Sequence, residues 1–577
     1  MKVQTPDGGS PGRGRSILRK WGPFGAIVVV LALVGAFAAV NAGGDDSEEA
    51  GGGGSSTTAV TSSGLPDGVV TYQAAKDAGT ADTIEWGERC DTSTGRLAVE
   101  VSPSPQCVAP FKGDNGGETD VGVTKDSIKV VLYVPQENDP VLQFLYRQIG
   151  LDDTPEDTWQ TYLGYNRLLA TYTETYGRRV ELVRYNATGN IQDSVAGTAD
   201  AETIARDLKP FAVIGGPVLT ESFADTLASN KVMCISCAPP QLSEWYIERA
   251  GYVWDILKNS EQTGLMAAEY IGKRLAGNNA QYGGDDVNGK PRKFGYIYLS
   301  STPAAETNRE KFTTKLDEDY GVTFDEIASF ADPIGVATQA REILARMKAK
   351  GITTILYSGD PLAPKALTTE ATGQDYFPEW VTTGSALVDS TIFARTYDQK
   401  QWAHAFGMSN LAARVSPKVA GPAHAYEWFN GTPAPAKQAA ALIPNLVVIY
   451  NGIQYAGPTL THDSYQQAIF NYPVVEGTVL SPQVSWGDRG FFDFTDYAGI
   501  DDGTEIWWDA DATGIDEINE EGTGMWAYVD GGKRYLPGDW PEGEPKLFDK
   551  SKDSVTLHTD LPDGITLPTY EPLKSVI

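Results

Sequence analysis

Ser127-Ile-Lys-Val-Val-Leu-Tyr-Val134 is a short run of aliphatic, mostly β-branched residues, long enough for one strand and too short for an ordinary helix. It follows a turn-like Gly122-Val123-Thr124. Runs of the same character recur at 179–185 (RVELVRY), 211–214 (FAVI, broken by Gly215-Gly216-Pro217) and 231–235. Helical patterns at 159–175, 201–208 and 220–229 separate them. The order then restarts: helix 262–275, strand 293–299, helix 304–320, strand 322–330, helix 333–348, strand 353–358, helix 362–372, strand 379–383. Strands alternating with helices of this length make βαβ units, and those make parallel sheets. The chain therefore reads as an α/β protein of two doubly wound lobes, 121–250 and 251–420. Return helices to the first lobe occupy 421–480, the longest at 436–456 with Pro444 inside it and a shorter one at 466–471.

Ahead of the lobes the composition changes three times. Residues 1–20 hold Lys2, Arg13, Arg15, Arg19 and Lys20 against one acid, Asp7, and read as a basic cytoplasmic N-terminus. Segment 21–42 contains GAIVVVLALVGAFAAV (25–40), an uncharged run between the length of a signal-peptide core and that of a full span. Basic residues before such a run keep the N-terminus inside and send the rest outward. Val40-Asn41-Ala42 would serve as a cleavage site, so transmembrane anchor and removed signal both stay open. Segment 43–64, rich in Gly, Ser, Thr and acids without an aromatic residue, reads as a disordered linker. The expected location is extracytoplasmic, tethered to the membrane through the N-terminal segment or secreted.

Charge and cysteine usage narrow the partners. The 577 residues carry 46 Lys+Arg against 76 Asp+Glu, a formal charge of −30. A surface so acidic repels phosphate backbones and excludes a nucleic-acid partner. In an exported protein the four cysteines are read first as disulfides. Cys90 and Cys107 enclose a short Pro/Ser-containing loop in a lead-in segment, 65–120. Cys234 and Cys237 are harder to join, because residues three apart in an extended strand lie about 10 Å from each other. Their bond requires the strand to end near Ile235 and turn; a disulfide, packed thiols and a redox pair stay open.

Several motifs in sequence order carry a resemblance. Gly122-Val-Thr-Lys-Asp-Ser-Ile-Lys-Val130 resembles the opening strand of type I periplasmic solute-binding proteins, the branched-chain amino-acid-binding (Leu/Ile/Val-binding) family of ABC transporters. Ala212-Val-Ile-Gly-Gly-Pro217 resembles its strand-to-helix ligand loop, 231–239 its next strand and loop, and Tyr252-Val-Trp-Asp255 its crossover into the second lobe. Segments 351–359 and 406–408 are also similar, so the likeness spans about 120–475. It implies two α/β lobes joined by hinge strands in a Venus-flytrap arrangement, with a ligand closed between them and a permease as partner. Independently of the name, open parallel sheets bind ligands beyond the C-terminal ends of their strands, where helix N-termini present free N–H groups.

That rule selects the candidate ligand residues. Gln136 and Asn138 follow the first strand. Thr220 and Ser222 lie in the loop after FAVI, where N-capping is the structural alternative. Ser236 and Ala238 follow the fourth strand. From the second lobe come Ser300 and Ser301 after KFGYIYL, and Ser358 and Asp360 after TTILYS. Asp360 could pair with a ligand ammonium or simply start a helix. The resembling family places its acidic residue a few positions later, where this chain has Ala363 and Pro364, and its second-lobe tyrosine is replaced in 302–306; both departures count against an amino-acid ligand.

The remainder, 481–577, is dense in Pro, Gly, acids and aromatics, including Trp507, Trp508, Trp526, Tyr535 and Trp540, and reads as an irregular C-terminal extension wrapped on the lobes. Within it Asp509, Asp511, Thr513 and Glu520, with Gly514, fit the spacing of a calcium loop, although a solvated acidic turn fits as well. No cofactor is expected beyond that structural calcium. His404, His424, His462 and His558 show no metal-binding spacing, and neither a GxSxG elbow nor a phosphate loop occurs. No catalytic residue is assigned. The expected function is capture of a small polar ligand, amino-acid-like or other, for ABC-type import, with no chemistry performed. The alternative is a membrane-anchored ligand-sensing receptor domain.

Overall fold

The computed structural model describes residues 64–577 except 102–103, 386, 417–418, 475, 552–553 and 556–560. The basic N-terminus, the anchor or signal segment and all but the last residue of the linker lie outside the described residues.

Lobe 1 is built on five parallel strands: β1 (Ser127–Val134), β2 (Arg179–Asn186), β3 (Ala212–Ile214), β4 (Met233–Ile235) and β5 (Val253–Trp254). They run in the order β2-β1-β3-β4-β5. Strands covered on both faces by helices are apolar at consecutive positions, which is why Val130 to Val134 are all buried. Lobe 2 repeats the plan with β6 (Phe294–Leu299), β7 (Phe324–Phe330), β8 (Thr354–Ser358), β9 (Glu379–Thr383) and β10 (Ala405–Ser409), parallel in the order β7-β6-β8-β9-β10. The α/β fold with two wound lobes is thus borne out.

The chain crosses between lobes three times, at 255–259, 410–421 and 472–502. Two crossings run side by side: the Asp255 N–H donates to the Tyr497 carbonyl at 2.9 Å, and the Gly499 N–H to the Asp255 carbonyl at 3.0 Å. The third is tied in where the Ala413 N–H donates to the Val479 carbonyl at 2.8 Å. The crossing segments are thus tied to one another by backbone hydrogen bonds.

The C-terminal region corrects the expectation of an irregular extension. Residues 503–529 form a hairpin, β11 (Gly503–Ile515) and β12 (Glu521–Val529), added antiparallel to β10, with β13 (Arg534–Tyr535) on β11 and β14 (Ser554–Val555) on β12. Without it the ladder of β10 would be an open edge. Trp507, Trp508 and Trp526, at most 2% exposed, fill the core on either face of the extended sheet. The tail beyond is anchored where Arg292 pairs with Glu379 at 2.9 Å and Glu544 at 2.6 Å.

The calcium loop is corrected with it. Asp509, Asp511 and Thr513 sit on a bulged strand, whose alternating side chains diverge, Glu520 lies outside it, and the carboxylates of Asp509 and Glu520 are engaged by protein groups. Asp509 accepts the N–H groups of Asp511 and Ala512 at 3.1 Å each and pairs with Lys550 at 2.7 Å, while Glu520 pairs with Lys437 at 3.1 Å. Among the described residues no group of His, Cys, Asp or Glu could hold a metal ion.

Four helices bear on the site. α1 (Pro140–Ile149) was not foreseen in the sequence; Asp139 caps it. α2 (Pro155–Tyr172) begins with a capping box between Thr154 and Asp157. α3 (Ala363–Gly373) follows β8, and α4 (Ala439–Ala456) packs in the centre of lobe 1. α4 is long and apolar enough to cross a membrane, yet 94% of it is buried inside the lobe. Both disulfides form, Cys90–Cys107 and Cys234–Cys237. The second closes because β4 ends at Ile235 and Ser236 turns the chain at φ 51°.

Candidate functional site

The C-terminal ends of the two parallel sheets open on two cavities, one lined by lobe 1 residues and one by residues of both lobes. From lobe 1 come Pro135–Glu137 after β1, Gly215-Gly216 after β3 and Ser236 after β4. Gly216 is required here, since a Cβ would stand 2.7 Å from the Cys237 carbonyl oxygen. From lobe 2 come Ser301 and Thr302 after β6, Ser358 and Gly359 after β8, Gly384 and Ser385 after β9, and Asn410 after β10. Lys258 approaches from the first crossing. α1 lies across the mouth: its apolar residues Val141, Leu142, Leu145 and Ile149 share one core cluster with Leu387, Val388 and Ala363 of lobe 2. Lys365 on α3 donates to Gln148 on α1 at 2.8 Å.

The two cavities differ in size. The larger, about 410 Å³, lies under α1 on the lobe 1 side and is closed at the back by α2 and α4. The smaller, about 190 Å³, lies between the lobe 2 strand ends and Pro239–Gln241 of lobe 1. The larger falls in the range of small-molecule sites.

The sequence candidates divide between cavity walls and framework. Gln136 lines the larger cavity, its amide donating to the Ala187 carbonyl at 3.3 Å. Ser236 lines it too, with its hydroxyl on Asp255 at 3.3 Å. Ser301 and Ser358 line the smaller cavity. Asn138 is exposed beside the mouth. Thr220 and Ser222 turn to each other at 3.0 Å, and the Ser222 hydroxyl donates to the Ser194 carbonyl at 3.0 Å. Ala238 is buried in the lobe 1 core. Ser300 closes the β6–β7 edge, donating its N–H to the Phe330 carbonyl at 2.8 Å. Asp360 is fully buried and accepts the N–H groups of Leu362 and Ala363 at 2.7 and 3.0 Å, so it starts α3 and lines neither cavity.

The electrostatics of the walls follow from burial. Asp389, which lines the smaller cavity, accepts the Ser409 hydroxyl at 2.6 Å and is pushed up to about 6 by desolvation. Asp255, behind Ser236, is likewise pushed up to about 6 by burial. Lys258 is pulled down by burial although it donates to the Asp502 carbonyl beside the raised Asp501. Asn410 is 7% exposed, and its Oδ1 has no hydrogen-bond partner.

The sequence reading missed Tyr146, Lys258, Asp389, Asn410, Gln438 and Asn445, all of which line the cavities. For Gln438 and Asn445 no local signal exists, since Asn451 and Gln454 are equally polar positions in the same helical run.

No protein-family model and no curated protein matches the chain. Solved structures similar to it include the branched-chain amino acid transporter substrate-binding protein LivJ from Streptococcus pneumoniae in complex with isoleucine. The identity is 13%, with 70% of this chain and 100% of that one covered and a TM-score of 0.46. A solute-binding protein of an ABC transporter from Rhodopseudomonas palustris HaA2, in complex with p-hydroxybenzoic acid, is 14% identical over 72% of this chain and 99% of that one (TM-score 0.47). A fatty acid ABC transporter substrate-binding protein from Thermomonospora curvata is 13% identical over 69% and 92%, respectively (TM-score 0.45). At such identities and scores the functional reading rests on the residues themselves. Two parallel α/β lobes joined by paired extended segments match the fold that the resemblance to type I periplasmic solute-binding proteins implies.

Proposed function

We propose that this protein is an extracytoplasmic binding protein that captures a small organic molecule between its lobes and hands it to an ABC-type permease. Its N-terminal segment would hold it at the membrane or be removed on export. The observation that supports this reading is the smaller cavity, where strand-end loops of lobe 2 meet Pro239–Gln241 of lobe 1 and Lys258 of the first crossing, with a larger cavity at the strand ends of lobe 1. Gln136 and Ser236 would contact the ligand from lobe 1, Ser301, Ser358 and Asn410 from lobe 2. Hinge closure around the ligand would create the surface a permease recognises, and no bond-making is required of any residue.

Mass spectrometry of small molecules released on denaturing the purified exported domain tests the reading. A stoichiometric organic molecule, whose re-addition compacts the protein in X-ray scattering, is the expected result. A protein that neither releases nor takes up a small molecule, and whose radius of gyration stays fixed across a metabolite panel, overturns it.

A further inference from the structure

Residues 561–577 come from lobe 2 and finish on lobe 1. The chain enters this segment from β14, which pairs with β12 in the lobe 2 sheet. Pro562, Pro568 and Pro572 withhold backbone donors and fix φ, and the segment joins no helix or strand. Its first apolar residues, Leu561, Ile565 and Leu567, pack against Val415 and Ala420 of the second crossing and Leu480 of the third. That contact lies over two of the three segments that connect the lobes.

The far end is held by side chains of lobe 1 and the lead-in segment. The Tyr570 N–H donates to the Glu100 carboxylate at 3.1 Å, its hydroxyl donates to Asp91 at 2.7 Å, and its carbonyl accepts the Trp428 indole N–H at 2.8 Å. Asp91 and Glu100 both lie in the loop closed by the Cys90–Cys107 disulfide, and Glu100 is braced by His424 Nε2 at 3.1 Å. The Leu573 N–H donates to the Tyr172 hydroxyl at 2.9 Å, and its side chain packs on the apolar cluster around that disulfide. Leu567 and Tyr570 are three residues apart, so at most about 10 Å of chain joins the two attachments, and the crossings cannot swing far from lobe 1 while both hold.

These attachments are local. None belongs to a ladder or a helix, and Leu561, Ile565, Leu567, Tyr570 and Leu573 are half-buried rather than enclosed. A segment fastened in this way opens at a lower free energy than the lobes unfold.

Resting on the capture reading, in which the crossings must bend, we infer that segment 561–577 is a releasable strap. Fastened to the disulfide loop and across the crossings, it limits how far the lobes part; released, it lets them open further.

Spin labels at Ser229→Cys in lobe 1 and Ala345→Cys in lobe 2, both exposed, measure the lobe separation by double electron–electron resonance, since all four native cysteines are paired. A chain ending at residue 560, full-length Leu567→Asp and full-length Tyr570→Ala should each add a population at longer distance that the intact chain lacks. The two point variants alter the strap alone and carry the test if the shortened chain misfolds. In the intact chain the amides of Tyr570 and Leu573 should exchange hydrogen at least about tenfold faster than those of Val131 and Val213 in the lobe 1 sheet. Distance distributions unchanged in both point variants overturn the inference, as does strap exchange as slow as that of the sheet. A longer population on release of the strap in a protein that takes up no small molecule upholds the strap and removes the capture reading instead.

Discussion

The Asp139 carboxylate accepts the Ile191 N–H at 2.7 Å through one oxygen, and the N–H groups of Val141 and Leu142 at 2.9 and 3.0 Å through the other. One buried side chain thus starts α1 and fastens it to the loop after β2. Asp139→Ala leaves three backbone donors without this partner and should destabilise the protein by about 2–3 kcal/mol. Urea denaturation measures the loss, and hydrogen exchange should show it concentrated in 140–149.

Asp360 should behave as a helix-starting residue. Asp360→Asn keeps an acceptor for Leu362 and Ala363 and should cost little, whereas Asp360→Ala should cost about 1–2 kcal/mol. Neither should change the identity of a molecule that co-purifies with the protein. Loss of that molecule in the Asn variant would return Asp360 to the ligand set.

Gly216→Ala places a Cβ against the Cys237 backbone, which no side-chain rotation relieves. The loop after β3 must move, at a cost of about 1–3 kcal/mol. A lower melting temperature together with weakened ligand retention is the expected result; an unchanged protein would mean that the loop has slack the structure does not show.

Stability should rise on mild acidification. Asp255, Asp360 and Asp389 are each raised to about 6 by burial, so the folded protein holds their protons more tightly than the unfolded chain does. Their stabilising effect is complete below the ordinary carboxylate range and is lost as pH rises through about 6. Melting curves between about pH 8 and pH 5 should therefore shift upward toward acid by the equivalent of about 1 kcal/mol per group. Asp389→Asn should flatten that slope; an unchanged slope would show that Asp389 does not titrate in this window.

Much of this architecture was legible because buried parallel strands announce themselves as apolar runs. Ser127–Val134 and Glu379–Thr383 have the bounds that their residues suggested. β11 was not legible, because Glu505, Asp509 and Asp511 read as solvated acids. In the fold, Glu505 is buried against Arg274 at 2.8 Å and Asp509 against Lys550. α1 was overlooked although Asp139, Pro140 and the spacing of Leu142, Leu145 and Ile149 are a proper helix start. Cavity residues at strand ends, such as Ser236 and Ser301, were reachable from topology. Gln438 and Asn445 were not, since nothing local says which face of an apolar helix will meet a hollow rather than a neighbour.

The late arrival of β11 imposes an order on biosynthesis. A chain emerging N-terminus first completes every strand of lobe 1 before any of lobe 2, and α4 is delivered to lobe 1 while β10 still waits for its partner. Until residues 410–502 have followed, one edge of β10 has no strand to pair with. Protection of nascent chains by holding factors should therefore matter most after Ser409 has emerged and end once Val529 follows.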